Sequence, residues 1–196
     1  MSLILASSSP FRKAILEKLG VAFVTASPDI DETRHDGETP YDLVLRLAAA
    51  KAKKVAKSHS GLIIASDQVA TFGLGTDVAD EILTKPLTHE NAFQQLKRSS
   101  GKEINFLTSI ALLNTETNNL QNHVDFFQVF FKTLSDNQIR SYLEKENVLN
   151  CAGSFKSEGL GVTLFRYTKG DDPNSLIGLP TIKLVDMLAK ENVHIL

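Results

Sequence analysis

Two short apolar runs, Leu3 to Ala6 and Leu62 to Ala65, break off abruptly into polar residues: Ser7-Ser8-Ser9 after the first and Ser66-Asp67-Gln68 after the second. Runs this short read as buried strands rather than helices. Ser9 at the N-cap and Pro10 at N1 then open a helix that carries Ile15, Leu16 and Leu19 on one side until Gly20 ends it. Thr39-Pro40 opens a second helix, which runs through Lys57 towards the second strand. The first half therefore reads β-α-(loop)-α-β, and that alternation restricts the chain to α/β architectures.

The second half fits the same class. After a glycine-rich segment at Gly73 to Gly75 and the Lys85-Pro86 step, Thr88 caps a helix through Leu96 that Gly101 terminates. Ile104 to Leu113 and Leu120 to Lys132, joined by an Asn/Thr-rich turn, predict an antiparallel hairpin. Ser135 caps a helix to Glu146, the loop Gly153 to Gly161 leads into a strand at Val162 to Tyr167, and Thr181 caps a closing helix through Asn192. With no repeat or linker, residues 1–196 are expected to form one mixed-sheet α/β domain, long enough to bury a core.

Charge and composition exclude several functions. A net charge of −2 supplies no broad basic field, so nucleic acid is not an expected partner. The single cysteine, Cys151, has no disulfide or CxxC partner, and a cytoplasmic, reducing setting is expected. No basic segment precedes Met1 to Ala6 and no apolar run is long enough for a spanning helix, so neither a signal peptide nor a membrane is expected. The histidines lack the close pairing of zinc sites.

Some residues look chemical rather than structural. Arg12 and Lys13 stand in the first turn of a helix, where the macrodipole disfavours cations; with Ser7, Ser9 and free backbone N–H groups they would suit a polyphosphate. A capped helix with two solvated cations gives the same pattern. Lys51 recurs at helical spacing with Val44, Leu47, Ala48 and Val55, so it needs a charge partner or a cleft, or else snorkels at the stripe's margin. Asp67, after an apolar strand, occupies the place where α/β sheets bind ligands. Asp29, Asp31 and Glu32 form an acidic loop that could hold a hard cation or simply be solvated. The segment Gly153 to Gly159 is no P-loop, because Phe155 stands before Lys156-Ser157 where glycine is needed. There is no GxSxG elbow.

The run Leu5-Ala6-Ser7-Ser8-Ser9-Pro10-Phe11-Arg12 resembles the N-terminal signature of Maf proteins, and further motifs follow in that family's order. They are Asp31-Glu32-Thr33, Leu45-Arg46-Leu47-Ala48 to Lys51-Ala52, Ser66-Asp67-Gln68-Val69, Lys85-Pro86, Ala152-Gly153-Ser154-Phe155 and Ile177-Gly178-Leu179-Pro180. The resemblance implies a mixed twisted sheet flanked by helices around a nucleotide-binding cleft, release of pyrophosphate from nucleoside triphosphates, and a divalent cation, Mg²⁺ or Mn²⁺. It implies Asp67 as general base, Glu32 and Asp67 at the metal, Lys51 and Lys85 as cleft lysines, and Ser9, Arg12 and Lys13 in the phosphate cradle.

Phe11 before Arg12-Lys13, Gln68 after Asp67, and Phe155-Lys156-Ser157-Glu158 resemble the branch acting on 7-methyl-GTP rather than the one preferring dTTP and UTP. Phe11, Gln68 and Glu158 are then expected to select the base. Gly73 to Asp80 departs from the family pattern and carries no assigned role. The alternatives are a broader or dTTP/UTP-directed pyrophosphatase and a regulator of septum formation acting by binding; a homodimer is left open.

Overall fold

Proline at N1 removes an N–H that no helical carbonyl could accept, and the preceding hydroxyl residue accepts the next free one. The computed structural model, which describes residues 1–196, uses this device repeatedly. Helix α1 (Pro10–Glu17) is capped by Ser9, whose Oγ accepts the Arg12 N–H. Helix α2 (Pro40–Ala56) is capped by Thr39 on Asp42. Thr88 caps α3 (His89–Ser99), and Ser135 with Gln138 forms a reciprocal capping box on α4 (Asp136–Lys145).

The strands are β1 (Leu3–Leu5), β2 (Val24–Thr25), β3 (Leu62–Thr71), β4 (Ile82–Leu83), β5 (Glu103–Asn114), β6 (Asn119–Phe131) and β7 (Phe165–Gly170). They build one mixed sheet of seven strands in the order β2-β1-β3-β5-β6-β7, with β4 attached to β3. β1 pairs in parallel with β2 and β3, whereas β3–β5, β5–β6 and β6–β7 are antiparallel. Two further helices, α5 (Pro173–Ile177) and α6 (Thr181–Lys190), close the chain.

Alternation along β3 sends successive side chains to opposite faces. Ile63 and Ala65 pack on Ala48, Ala52 and Val55 of α2, and Val69 joins Val44 and Leu47 farther along that helix. Leu62 and Ile64 meet Ile15 and Leu16 of α1 and Leu184, Met187 and Leu188 of α6. The far part of that second face is covered by α3 and α4 through Phe93, Leu96, Ile139 and Leu143. No helix is long and apolar enough to cross a membrane.

Three expectations are corrected. Leu62–Ala65 is only the first part of β3, which continues through Ser66, Asp67 and Gln68 to Thr71, so Asp67 lies within a strand rather than beyond its tip. Leu160–Leu164 forms a 3-10 turn, closed by the Thr163 hydroxyl donating to the Leu160 carbonyl at 2.7 Å, and the strand begins only at Phe165. Thr181 is the first residue of α6 rather than its cap; Asp172 accepts both its hydroxyl and the Ile182 N–H, at 3.0 and 2.8 Å.

Candidate active site

β1 ends where Leu5 pairs with Ile64, and β4 begins only at the partners of Ala70 and Thr71. Between them one edge of β3, at Ser66 to Val69, lacks a neighbouring strand. A cleft of about 570 Å³ opens at this gap, lined by Ala6 to Arg12, Glu32, Lys51, Asp67, Gln68, Lys85 and the segment Phe155 to Glu158. The apolar runs thus deliver their polar ends to one place although Asp67 is inside a strand.

Lys51 comes from the buried face of α2, and its Nζ lies 2.5 Å from Asp67 Oδ1 and 2.7 Å from Glu32 Oε1. Its side chain is 6% exposed, so its charge is matched inside the protein rather than in water. Of the explanations that the amphipathic pattern left open, the structure shows a charge partner, this carboxylate pair, rather than a snorkelling lysine. Burial raises the Asp67 carboxyl above its usual range, opposed by the positive charges of Lys51 and Arg12. Such an environment suits a carboxylate that accepts a proton from water. Arg12 is itself disfavoured by burial, with Asp67 and then Glu32 supporting its charge.

Arg12 is held from across the fold. Its Nε donates to the Gly178 carbonyl at 2.9 Å, and the Ser66 hydroxyl donates to the same oxygen at 2.8 Å. The Ile177-Gly178-Leu179-Pro180 motif therefore anchors the cleft arginine. Ser7 Oγ accepts the Ser9 N–H at 3.1 Å, while Ser9 Oγ caps α1, so both hydroxyls keep a proton to donate.

Lys13 does not join this group: it is exposed, absent from the cleft wall and 3.7 Å from Glu17 one turn on. One residue along a helix turns a side chain through roughly 100°, which separates it from the inward Arg12. Lys85, exposed, and Glu158, also exposed, both line the cleft, as do Phe11 and Gln68. The Gln68 amide nitrogen is committed to Thr108 Oγ1 and the Ser175 and Leu176 carbonyls, at 2.9, 2.7 and 3.1 Å, leaving its oxygen as the group to offer.

Reading by sequence missed Lys156, which lines the cleft beside Glu158. Within Phe155-Lys156-Ser157-Glu158 the sequence assigns a role to Glu158 and none to Lys156; the signal is a lysine two residues before a glutamate, between glycines. Phe155 anchors that segment by edge-to-face contacts with Phe106, Phe131 and Phe165 at 5.4, 5.6 and 4.9 Å between centroids. Cys151 also lines the cleft, but burial pushes its thiol up to about 11, which keeps it protonated at neutral pH and unsuited to nucleophilic work.

The donor set bears on a metal. No group of three or more His, Cys, Asp or Glu is assembled, but Glu32 and Asp67 both reach the same lysine nitrogen. Asp29 and Asp31 are not part of the cleft wall. Two convergent carboxylates fit a hard cation that takes its remaining ligands from phosphate oxygens and water, not one caged by protein alone.

The family model for Maf-like protein matches residues 2–191. The chain belongs to the Maf family. It is similar, at 51% identity over 194 residues, to a Vibrio cholerae protein named 7-methyl-GTP pyrophosphatase, the match spanning 99% of this chain and 97% of that one. A Pseudomonas aeruginosa protein of the same name is 50% identical over 194 residues, covering 98% of both chains. Among solved structures, the Staphylococcus aureus Ham1 protein superposes with a TM-score of 0.53 at 12% identity, covering 98% of this chain and 100% of that one. A Coxiella burnetii HAM1 protein gives 0.53 at 14% identity, covering 97% and 99%. These likenesses agree with the expected fold, a mixed sheet flanked by helices. The Maf motifs quoted from the sequence supply the Asp67, Lys51 and Glu32 group as well as the Gly178 anchor.

Proposed function

We propose that this Maf protein is a nucleoside triphosphate pyrophosphatase that hydrolyses 7-methyl-GTP to 7-methyl-GMP and pyrophosphate. The observation that carries the reading is the buried Lys51–Asp67 pair, joined by the exposed Glu32, facing the same cleft as Phe11, Gln68 and Glu158. The names of the Vibrio and Pseudomonas relatives support the substrate.

In this reading Arg12, Lys85 and the serine hydroxyls grip the β and γ phosphates, so that pyrophosphate leaves with its charge compensated. Asp67 orients and deprotonates the attacking water, and Lys51 holds Asp67 in place. Glu32 and Asp67 would hold a divalent cation, Mg²⁺ or Mn²⁺, which would supply Lewis-acid polarisation of the phosphate.

The base end follows from the chemistry of methylation. Methylation at N7 spreads a positive charge over the purine, which the face of Phe11 attracts by roughly 0.5–2 kcal/mol. Guanine offers N1–H and an exocyclic amine on one edge, a donor pair for the Glu158 carboxylate, with the Gln68 oxygen as a further acceptor. Uracil and thymine have no such pair.

The reading takes residues 1–196 as one catalytic domain in a reducing cytoplasm, with the nucleotide as partner, no nucleic acid or membrane, and a homodimer compatible with it. Purified protein with Mg²⁺ or Mn²⁺ and a panel of triphosphates tests the activity. Monophosphate and pyrophosphate should form fastest from 7-methyl-GTP; orthophosphate as the first product would exclude the assignment.

A further inference from the structure

The cleft carries a charge problem. Arg12, Lys51, Lys85 and Lys156 on its wall suit a polyphosphate but repel a base that is itself a cation. Lys51 is matched by Asp67 and Glu32. Lys156 stands two residues from Glu158, where a free ammonium would compete with the base for that carboxylate.

Glu146, just past the end of α4 and outside the cleft wall, deals with this lysine. Its Oε1 lies 3.5 Å from Lys156 Nζ, and the Lys156 and Glu146 side chains are only 22% and 17% exposed. Its Oε2 accepts the Leu160 N–H at 2.9 Å. The two contacts bracket a turn with Glu158 between them.

The turn is closed further from within. The Lys156 N–H donates to Tyr142 Oη at 3.1 Å, and its carbonyl accepts the Gly159 and Gly161 N–H groups at 3.3 and 3.0 Å. A Cβ on Gly161 would fall 2.2 Å from that carbonyl, and one on Gly159 would fall 2.4 Å from Glu146 Oε2. Both glycines permit the close approach.

We propose that Glu146 is a positioning residue for base specificity: by pairing with Lys156 and holding Leu160, it keeps the base end of the cleft free of unmatched positive charge. It thereby sets the preference for a cationic purine over the neutral one. This rests on the reading of Glu158 as the base contact. Because the pair is largely withdrawn from water, salt screens it less than a surface pair.

The test compares kcat/KM for 7-methyl-GTP and GTP, whose triphosphates are identical, so changes at the phosphate end cancel in the ratio. Glu146→Gln keeps an acceptor for the Leu160 N–H and removes the charge. The 7-methyl-GTP to GTP ratio should fall roughly tenfold, the scale of one unmatched charge several ångströms away at a cleft's effective dielectric. Lys156→Met should leave the ratio equal or higher, and the double variant should regain most of what Glu146→Gln loses. A wild-type preference that Glu146→Gln leaves intact overturns this inference alone, whereas a wild-type enzyme without preference overturns the base reading with it. If Glu146→Gln fails to fold, Lys156→Met decides: a tenfold fall in its ratio would refute the proposal.

Discussion

Arg46 grips both oxygens of Glu38, Nε to Oε1 at 2.6 Å and Nη2 to Oε2 at 2.8 Å, and the same Nη2 donates to the Thr33 carbonyl at 3.0 Å. Thr33 adjoins Glu32, so the clamp fixes the chain that delivers Glu32 to Lys51. The Arg46 hydrogen bonds hold the Glu38 carboxyl down at about 2, below its ordinary 4.5. A lowered carboxylate gives stability that is complete above the ordinary value and lost as pH falls through the folded one. Glu38→Gln should therefore cost about 1.5–3 kcal/mol at neutral pH. Denaturant unfolding at several pH values should show the loss shrinking between pH 4.5 and about 2; a pH-independent difference would disprove the linkage.

Asp67→Asn should keep the fold and lose at least ~10²-fold in kcat, as removal of a general base does. Lys51 and Arg12 both draw the buried Asp67 carboxyl downward, while Glu32 pushes it up. Lys51→Met should consequently move the acid limb of the kcat profile to higher pH. An acid limb that stays put while activity falls would assign Lys51 to phosphate binding alone.

Glu158→Gln should lower kcat/KM for 7-methyl-GTP about tenfold or more, the loss of a charged hydrogen bond of ~1.5–3 kcal/mol, with little change on UTP. Phe11→Ala should narrow the gap between 7-methyl-GTP and GTP. Equal losses on UTP would move Glu158 out of base recognition.

Gly61 joins the edge of the core to the cleft-bearing strand. Its φ is +134°, and a Cβ there would lie 2.2 Å from the Ser2 carbonyl oxygen, which already accepts the Leu62 N–H at 2.9 Å. Gly61→Ala should destabilise by about 1–3 kcal/mol through backbone strain and this clash. Thermal melting measures it, and the specific activity of the folded fraction should stay near wild type; an unchanged melting temperature would show that β1 shifts freely.

Local signals made much of this legible. Ser9, Pro10 and Gly20 marked α1, and Lys51 in an apolar stripe marked a position that a charge partner, a cleft or snorkelling could each explain, of which the structure shows the charge partners. What escaped depends on partners distant in sequence. Ser66, Asp67 and Gln68 look like a strand's end, yet each polar side chain finds a partner, on Gly178, Lys51 and Thr108 with the α5 carbonyls respectively. Thr181 looks like a cap because Asp172, nine residues earlier, does the capping. Val162-Thr163-Leu164 has strand-forming side chains, but the Thr163 hydroxyl closes a turn instead. Lys156 escaped because its meaning lies in Glu146, on another element.

The missing neighbour on one edge of β3 leaves its other edge paired with β5 from Leu62 to Thr71 without interruption. The floor of the cleft is therefore fastened into the longest ladders of the sheet and cannot yield without separating them, while the turn from Lys156 to Gly161 depends on a few contacts at the rim. In hydrogen exchange, the β3 and β5 amides bonded in their shared ladder should be released only by global unfolding, and those of the turn through local opening of lower free energy. On the proposed function, nucleotide entry and product departure should then use the rim, and binding should slow exchange there while leaving the floor unaltered.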